Sequence, residues 1–240
     1  MLPNACFIVG GGPSLRSEYH ERLKGLCSSA LVVGTNLSYK FFDSDVHCVL
    51  DDDFYRQRQA ELHQLPLIAT RDRSAIRAIA SPNSLFLPTS QNIYFGDESL
   101  KKGVYTNLMC GAFALTLAIW LYRKAHQPAD IYLLGFDFGG LTAGKTITTH
   151  FYQADLAMHH RGIGKVNFYN ITKPREFWKP FLSPGPGINI YNVSLESKIP
   201  VFDKISYESM FVNYRYTTSR QKPDVISTIR QMISDELKVV

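Results

Sequence analysis

Apolar residues in this chain come in short runs, each closed by glycine or a polar residue, and these runs alternate with segments of helical composition. Ala5-Cys6-Phe7-Ile8-Val9 is the first and ends in three glycines, the pattern of a buried strand followed by a tight turn. Ser14 is placed to cap the next segment, and 15–26 has room for a short helix. Ala30-Leu31-Val32-Val33-Gly34 predicts a second buried strand, with Asn36 just after it. Val46-His47-Cys48-Val49-Leu50 predicts a third, running into Asp51-Asp52-Asp53. A helix over 54–62, a fourth strand at Leu67-Ile68-Ala69-Thr70 and a fifth at Ser84-Leu85-Phe86-Leu87 follow. Pro88, Gly96 and Gly103 mark 88–104 as loop. Asn107 to Lys124 is apolar nearly all round, as a helix buried against a sheet must be. It leads into the core strand Ile131-Tyr132-Leu133-Leu134, which ends in Gly135-Phe136-Asp137.

The second half is less regular. Residues 139–149 are rich in Gly and Thr and are expected to form a mobile segment, and 161–187 combine aromatics with Pro174, Pro180, Pro184 and Pro186. Ile188-Asn189-Ile190-Tyr191-Asn192-Val193 predicts a late strand. In the tail, Ile226, Ile229, Ile233 and Leu237 share one helical face, which could dock on the body or on a second copy in a homo-oligomer. Strands alternating with helices predict an α/β fold: a single Rossmann-like domain over 1–205 with a mainly parallel sheet flanked by helices. A C-terminal extension with one amphipathic helix is expected over 206–240. Ligands of such sheets lie beyond the carboxyl ends of the strands. The Gly10 turn, Asn36, Asp51 and Gly135-Phe136-Asp137 all fall at those ends.

Composition narrows the function. Of 240 residues 45% are hydrophobic and 20% charged, which supports a sizeable core and argues against disorder. A net charge of +5 suits an anionic ligand but lacks the dense basic stripe of a DNA-binding module. Cys6, Cys27, Cys48 and Cys110 form no CxxC pair, so no zinc site is expected and a reducing compartment fits. Met1-Leu2-Pro3-Asn4 opens no secretion signal. The longest apolar stretch, 111–122, is shorter than the roughly 20 residues a membrane span needs. The expectation is a soluble, cytoplasmic protein.

Several residues could carry chemistry. In Gly10-Gly11-Gly12-Pro13-Ser14, the glycines would let backbone N–H groups approach a phosphate, at the turn or at the next helix N-terminus. The spacing is neither GxGxxG nor GxxxxGK[ST], and an ordinary strand-to-helix turn explains it equally well. Asp51, Asp52 and Asp53 invite a Mg²⁺ reading, but alternate side chains on a strand end diverge. Asp52 and Asp53 therefore read as a solvated turn, while Asp51 remains a candidate. His126 and the adjacent His159-His160 make poor metal ligands, and no metal site is predicted. Phe168, Tyr169, Phe177 and Trp178 could form a lid for an acceptor, though packing is the expected role.

The run FIVGGGPSL, then Thr106-Asn107 opening a small-residue helix, then IYLLGFDF recur in this order in three groups of proteins. The chain resembles family 42 bacterial sialyltransferases, archaeal 6-hydroxymethylpterin pyrophosphokinase-like proteins, and phage-encoded proteins similar to both. The phage-type pattern is matched by Asp51 and Phe54, by 107–151, and by a terminal strand with a following Asn and Ser over 190–197. The resemblance spans about residues 5–205 and would place the protein in a host cytoplasm if it is phage-encoded. It implies that Gly10, Gly11, Gly12, Pro13, Ser14, Asn36, Asp51, Thr106, Asn107, Gly135, Phe136, Asp137 and Phe138 surround a nucleotide. Thr149-His150-Phe151-Tyr152 resembles the segment carrying the sialyltransferase base. That implies His150 as general base, with Tyr152 stabilising the leaving phosphate. Two positions depart from the sialyltransferase pattern. Asn107 replaces a serine, and Gly139 stands where those enzymes carry a phosphate-holding tyrosine.

The leading expectation is a nucleotide-sugar-dependent glycosyltransferase, metal-independent and without a tightly bound cofactor. It would act on a hydroxyl acceptor such as a carbohydrate or a modified nucleobase. The alternative is an ATP- and Mg²⁺-dependent pyrophosphokinase or nucleotidyl/phosphoryl transferase, with Asp51 or Asp137 near the metal. A non-catalytic nucleotide-binding module is the third.

Overall fold

The computed structural model describes residues 1–90, 99–106, 109–137, 141–143, 146–148, 174–214 and 224–238. Its centre is an eight-stranded parallel sheet. Five strands run outward in chain order: β1 (Ala5–Val9), β2 (Leu31–Thr35), β3 (Val46–Val49), β4 (Ile68–Arg71) and β5 (Ser84–Leu87). Later in the chain come β6 (Thr89–Ser90) and β7 (Val104–Tyr105), a small parallel pair of their own. The chain then returns to the other side of β1 and adds β8 (Ala129–Leu134). The strands β9 (Leu141–Ala143) and β10 (Thr146–Thr148) form a separate antiparallel hairpin. Finally β11 (Ile188–Asn192) and β12 (Asp203–Lys204) extend the main sheet beyond β8.

The apolar runs are strands because both sheet faces are covered. Every residue of β1 and β2 is buried, as in other parallel sheets roofed on two sides. Cys6, Ile8, Leu31, Val33, Cys48, Ile131 and Leu133 face one layer, and Phe7, Val9, Val32, Tyr132 and Leu134 face the other. The first layer is dominated by α6 (Cys110–Lys124), whose residues from Ala112 to Tyr122 are all buried. That helix ends at His126, which adopts a left-handed φ of 51°. Gln127 N–H then donates to Tyr122 O and His126 N–H to Arg123 O, satisfying two carbonyls of the last turn.

The remaining helices are α1 (His20–Cys27), α2 (Asp52–Gln57), α3 (Gln59–Leu62), α4 (Ser74–Arg77), α5 (Ser99–Lys102), α7 (Pro174–Trp178), α8 (Tyr207–Tyr214) and α9 (Val225–Lys238). Two expectations need correction. Residues 88–104 hold β6, α5 and the start of β7 rather than loop alone. Two helices, not one, follow residue 205. Tyr207, Met210, Phe211 and Tyr214 stand at i, i+3, i+4 and i+7, so α8 buries a complete stripe against Phe7, Val32 and Tyr132. The tail helix α9 docks on the body through Val225, Ile229 and Ile233, with Lys124 Nζ 2.8 Å from the Glu236 carboxylate. No helix among the described residues is long and apolar enough to cross a membrane.

His47 lies wholly inside β3. Its Nε2–H donates to the Asn36 carbonyl at 3.0 Å, which leaves Nδ1 as a buried lone pair without a partner among the described residues. A Cβ on neighbouring Gly34 would come within 2.5 Å of that Nδ1, so Gly34 is needed for the ring to fit. Burial lowers the His47 pKa to about 4, outweighing the opposing effect of the Asn36 hydrogen bond. The unfolded chain therefore binds more protons than the native one as pH falls from about 6.5 towards 4, and stability is lost across that window. The loss amounts to about 3 kcal/mol at the acid end. Denaturant unfolding at pH 7 and pH 4.5 should show it, and His47→Gln, which can still reach the Asn36 carbonyl, should flatten the dependence. An unchanged slope in that variant would remove His47 as the cause.

Candidate functional site

The order of strands reverses direction between β1 and β8. That is the topological switch point, where the carboxyl ends of an open α/β sheet part to leave a crevice. Two chain segments leave the sheet there and continue as a pair. Gly10 N–H donates to Leu134 O, Gly12 N–H to Gly135 O and Ser14 N–H to Asp137 Oδ2, each at 2.8 Å. The glycines make this approach feasible. A Cβ on Gly10 would lie 2.7 Å from Gly135 O, and one on Gly12 would lie 2.3 Å from Asp137 Oδ2. Gly135 itself adopts a φ of +69°, a left-handed conformation that favours glycine. The turn thus has a structural role that accounts for Gly10 and Gly12. With Leu15 N–H on Gly12 O, Gly11 keeps the one amide of the turn without a partner among the described residues. The helix expected close behind the turn begins only at His20, after a 3-10 turn over Ser17–Tyr19, so its N-terminus does not directly follow the glycines.

Asp137 is the chemically conspicuous group. It is 5% exposed, and while Oδ2 holds the Ser14 amide, Oδ1 meets no hydrogen-bond partner among the described residues. A buried acceptor left in that state costs about 1–3 kcal/mol, a cost that a donating ligand or water would relieve. The Ser14 hydroxyl is likewise unpartnered. Tyr207, at the start of α8, is buried, and its hydroxyl meets no hydrogen-bond partner among the described residues. Burial, and after it the Asp137 charge, push the Tyr207 pKa well above the ordinary phenol value.

Asp137 is held from behind by β11. Asn192 Nδ2 donates to Phe136 O at 3.1 Å and to Ser197 Oγ at 2.8 Å, while Ser197 Oγ donates to Phe136 O at 2.6 Å. Lys198 N–H donates to Asp137 O at 2.7 Å, and Lys204 Nζ to Ser197 O at 2.6 Å. The Phe136 ring points into the core, close against Gly10 and Gly111 and edge-on to Trp178. Asn192, Ser197 and Tyr207 were not among the sequence-derived site residues. The Asn and Ser after the last long strand were the available signal for the first two, and the i, i+3, i+4, i+7 stripe was the signal for Tyr207.

The other candidates lie along the same rim. Strands β8, β1, β2 and β3 are neighbours, so Gly135–Asp137, the Gly10 turn, Asn36 and Asp51 stand in a row. Thr35 Oγ1 donates to Val9 O at 3.1 Å, fixing the end of β2 to that of β1. Asn36 is half-buried, with a left-handed φ of 53°, and its carbonyl serves His47. Asp51 caps α2, accepting the N–H groups of Asp53 and Phe54 at 2.9 and 3.0 Å. Asp52, expected in a solvated turn, instead accepts two bonds from Arg71, at 3.0 and 2.8 Å, and one from Arg73 at 3.3 Å. Those two arginines, close to it after the chain enters β4, supply the reason. Thr106 is buried just ahead of α6, its carbonyl accepting the Met109 N–H at 2.7 Å. Asn107, Phe138, His150 and Tyr152 lie outside the described residues. Among the described residues no group of three His, Cys, Asp or Glu side chains could hold a metal ion. Phe177 and Trp178 are buried in the core, as packing residues. An open depression of about 660 Å³ lies elsewhere, at the amino ends of β8 and β11 between His126, Pro128 and Ile188.

No family model matches the chain, and no curated protein does. Among solved structures it is similar to that of the MAf glycosyltransferase from Magnetospirillum magneticum AMB-1, with a TM-score of 0.58 and 14% identity. The match covers 98% of this chain but 38% of that one, so the chain spans little more than a third of the length of the protein it resembles. At that identity the likeness is one of fold: a glycosyltransferase-like, Rossmann-like arrangement of sheet and helices.

The contact between the two strand exits can be tested against a glycine that has no such task. Gly25 in α1 has open space where its Cβ would stand. Gly25→Ala should raise stability by about 0.5–1 kcal/mol. Gly12→Ala should lower it by about 2–4 kcal/mol, since backbone and a buried carboxylate must give way. Equal melting temperatures for the two variants would contradict the close approach.

Proposed function

We propose that this chain is a nucleotide-sugar-dependent glycosyltransferase whose donor nucleotide lies at the carboxyl ends of β1 and β8. The observation that carries the reading is the unpartnered, buried Asp137 Oδ1 at the switch point. A ribose hydroxyl or an exocyclic amine of the base would donate to it. The Ser14 hydroxyl and the Gly11 N–H complete a polar lining, with Asn36 on the next strand end. The glycosyltransferase-like fold is consistent with this donor class.

In the reaction, the acceptor O–H would lose its proton to His150 as its oxygen attacks the anomeric carbon. The bond from that carbon to the phosphate oxygen breaks, and the nucleotide leaves with the electron pair, stabilised by Tyr152. The roles of His150 and Tyr152 rest on the sialyltransferase-like segment that contains them. Asp52, committed to Arg71 and Arg73, and Asp51, committed to the α2 cap, leave the aspartate run with structural duties already assigned.

Thermal-shift measurements with CMP, UDP and GDP conjugates and with ATP, each with and without Mg²⁺, test the donor. A nucleotide sugar should raise the melting temperature without metal. Asp137→Asn should weaken that ligand at least tenfold. The amide can still accept from Ser14 N–H but then turns an NH₂ group toward the ligand's own donor. His150→Ala should retain binding while turnover falls by about 10²–10⁴. Stabilisation by ATP with Mg²⁺ alone would instead indicate phosphoryl or nucleotidyl transfer. Binding with unaltered turnover in His150→Ala would indicate another base, and binding without turnover in the unaltered chain would indicate a binding module.

A further inference from the structure

His47 is wholly buried in β3, yet its side chain serves the rim of the sheet, where Nε2–H donates to the Asn36 carbonyl at 3.0 Å. Asn36 adopts a φ of 53°, a left-handed conformation that residues with a Cβ rarely take up and that recurs at ligand sites. The bond from His47 falls on its carbonyl, and among the described residues its side-chain amide makes no hydrogen bond. Val9 and Gly34 are register partners in β1 and β2. Asn36 therefore stands two residues beyond that pair on one strand, as Gly11 does on the other. The bond from Thr35 Oγ1 to Val9 O, at 3.1 Å, keeps the two exits together.

This arrangement is poor packing. His47 Nδ1 is buried without a partner among the described residues, a loss that an apolar side chain would not incur. Gly34, the register partner of His47, must lack a Cβ, because one would stand 2.5 Å from Nδ1 and 2.9 Å from Ser38 Oγ. Ser38 Oγ accepts the Thr35 N–H at 3.0 Å, and the Tyr39 ring meets the imidazole edge-on at 5.2 Å and 89°. Two strand-interior positions are thus given to a glycine and a histidine for the sake of one bond to the rim. Local rules broken without a return in stability mark functional positions. Resting on the nucleotide reading above, we infer that His47 is a positioning residue of the donor site, whose Nε2–H holds the Asn36 backbone so that the Asn36 side chain faces a nucleotide beside Gly11. Burial keeps the imidazole neutral well below neutral pH, so the proton stays on Nε2.

His47→Leu in the full chain removes the donor and fills the space with apolar atoms. Its Kd for whichever of CMP, UDP or GDP stabilises the unaltered chain should rise about five- to twentyfold. His47→Gln, whose amide can reach the same carbonyl, should bring the Kd back to within about threefold. Asn36→Gly keeps the left-handed backbone and removes the side chain. Adding His47→Leu to it should weaken binding by less than about twofold more, since both changes act through one amide. Losses that multiply in the double variant would overturn the inference, because His47 would then act by a route other than Asn36. Unaltered affinity in His47→Leu, beside an about tenfold loss in Asp137→Asn, would overturn it and leave the nucleotide reading standing. If His47→Leu does not fold, His47→Asn, whose amide stops short of the carbonyl, takes its place. Failure of both to fold would make the bond a requirement of the fold and overturn the inference. Failure of all three nucleotides to bind the unaltered chain would overturn both readings.

Discussion

Two strand exits that touch are the constraint on which the rest of this site depends. In a doubly wound sheet the chains leaving either side of the switch point usually diverge to helices on opposite faces, opening a crevice. Here the Gly10–Ser14 turn stays bonded to Gly135–Asp137 for two residue pairs beyond the last strand residues, through the amides of Gly12 and Ser14. Only glycine at positions 10 and 12 allows that separation. The result is to bury a carboxylate at the end of β8, against the Gly10–Ser14 turn. The Asn192–Ser197 network and the amide of Lys198 then fix the segment from the far side. Asp137 is therefore set by contacts from β1, β8 and β11 at once, on rigid elements rather than on a free loop.

Much of the fold was legible because a parallel sheet covered on both faces writes continuous apolar runs into the sequence, and each run was bounded by glycine or a polar residue. β1, β2, β3, β4, β5, β8 and β11 all came from that signal, with boundaries differing by a residue or two. What was not legible lacked periodicity. The two-residue strands β6, β7 and β12 carry too few positions to show a pattern, and the helix after the glycine turn starts later because a 3-10 turn intervenes. The stripe of α8 was present but short and aromatic, and its partners, Phe7 and Tyr132, are distant in sequence.

The site divides in the same way. That the polar residues would fall on one rim followed from topology, and β8, β1, β2 and β3 are indeed neighbours. How each residue is used depended on long-range contacts. The amides of Gly10 and Gly12 serve β8, the Phe136 ring serves the core, and Asp51 serves its own helix. Only the geometry distinguishes Asp137, with one oxygen bound and one bare, from these structural neighbours.

A glycine turn whose donors are mostly turned inward has little grip on a bare anion. With Gly10, Gly12, Ser14 and Leu15 N–H groups all engaged within the fold, the loop offers one amide where a phosphate cradle would present several. In the nucleotide reading proposed above, discrimination would then rest on the nucleoside half of the ligand, and free phosphate or pyrophosphate would be weak competitors even when abundant.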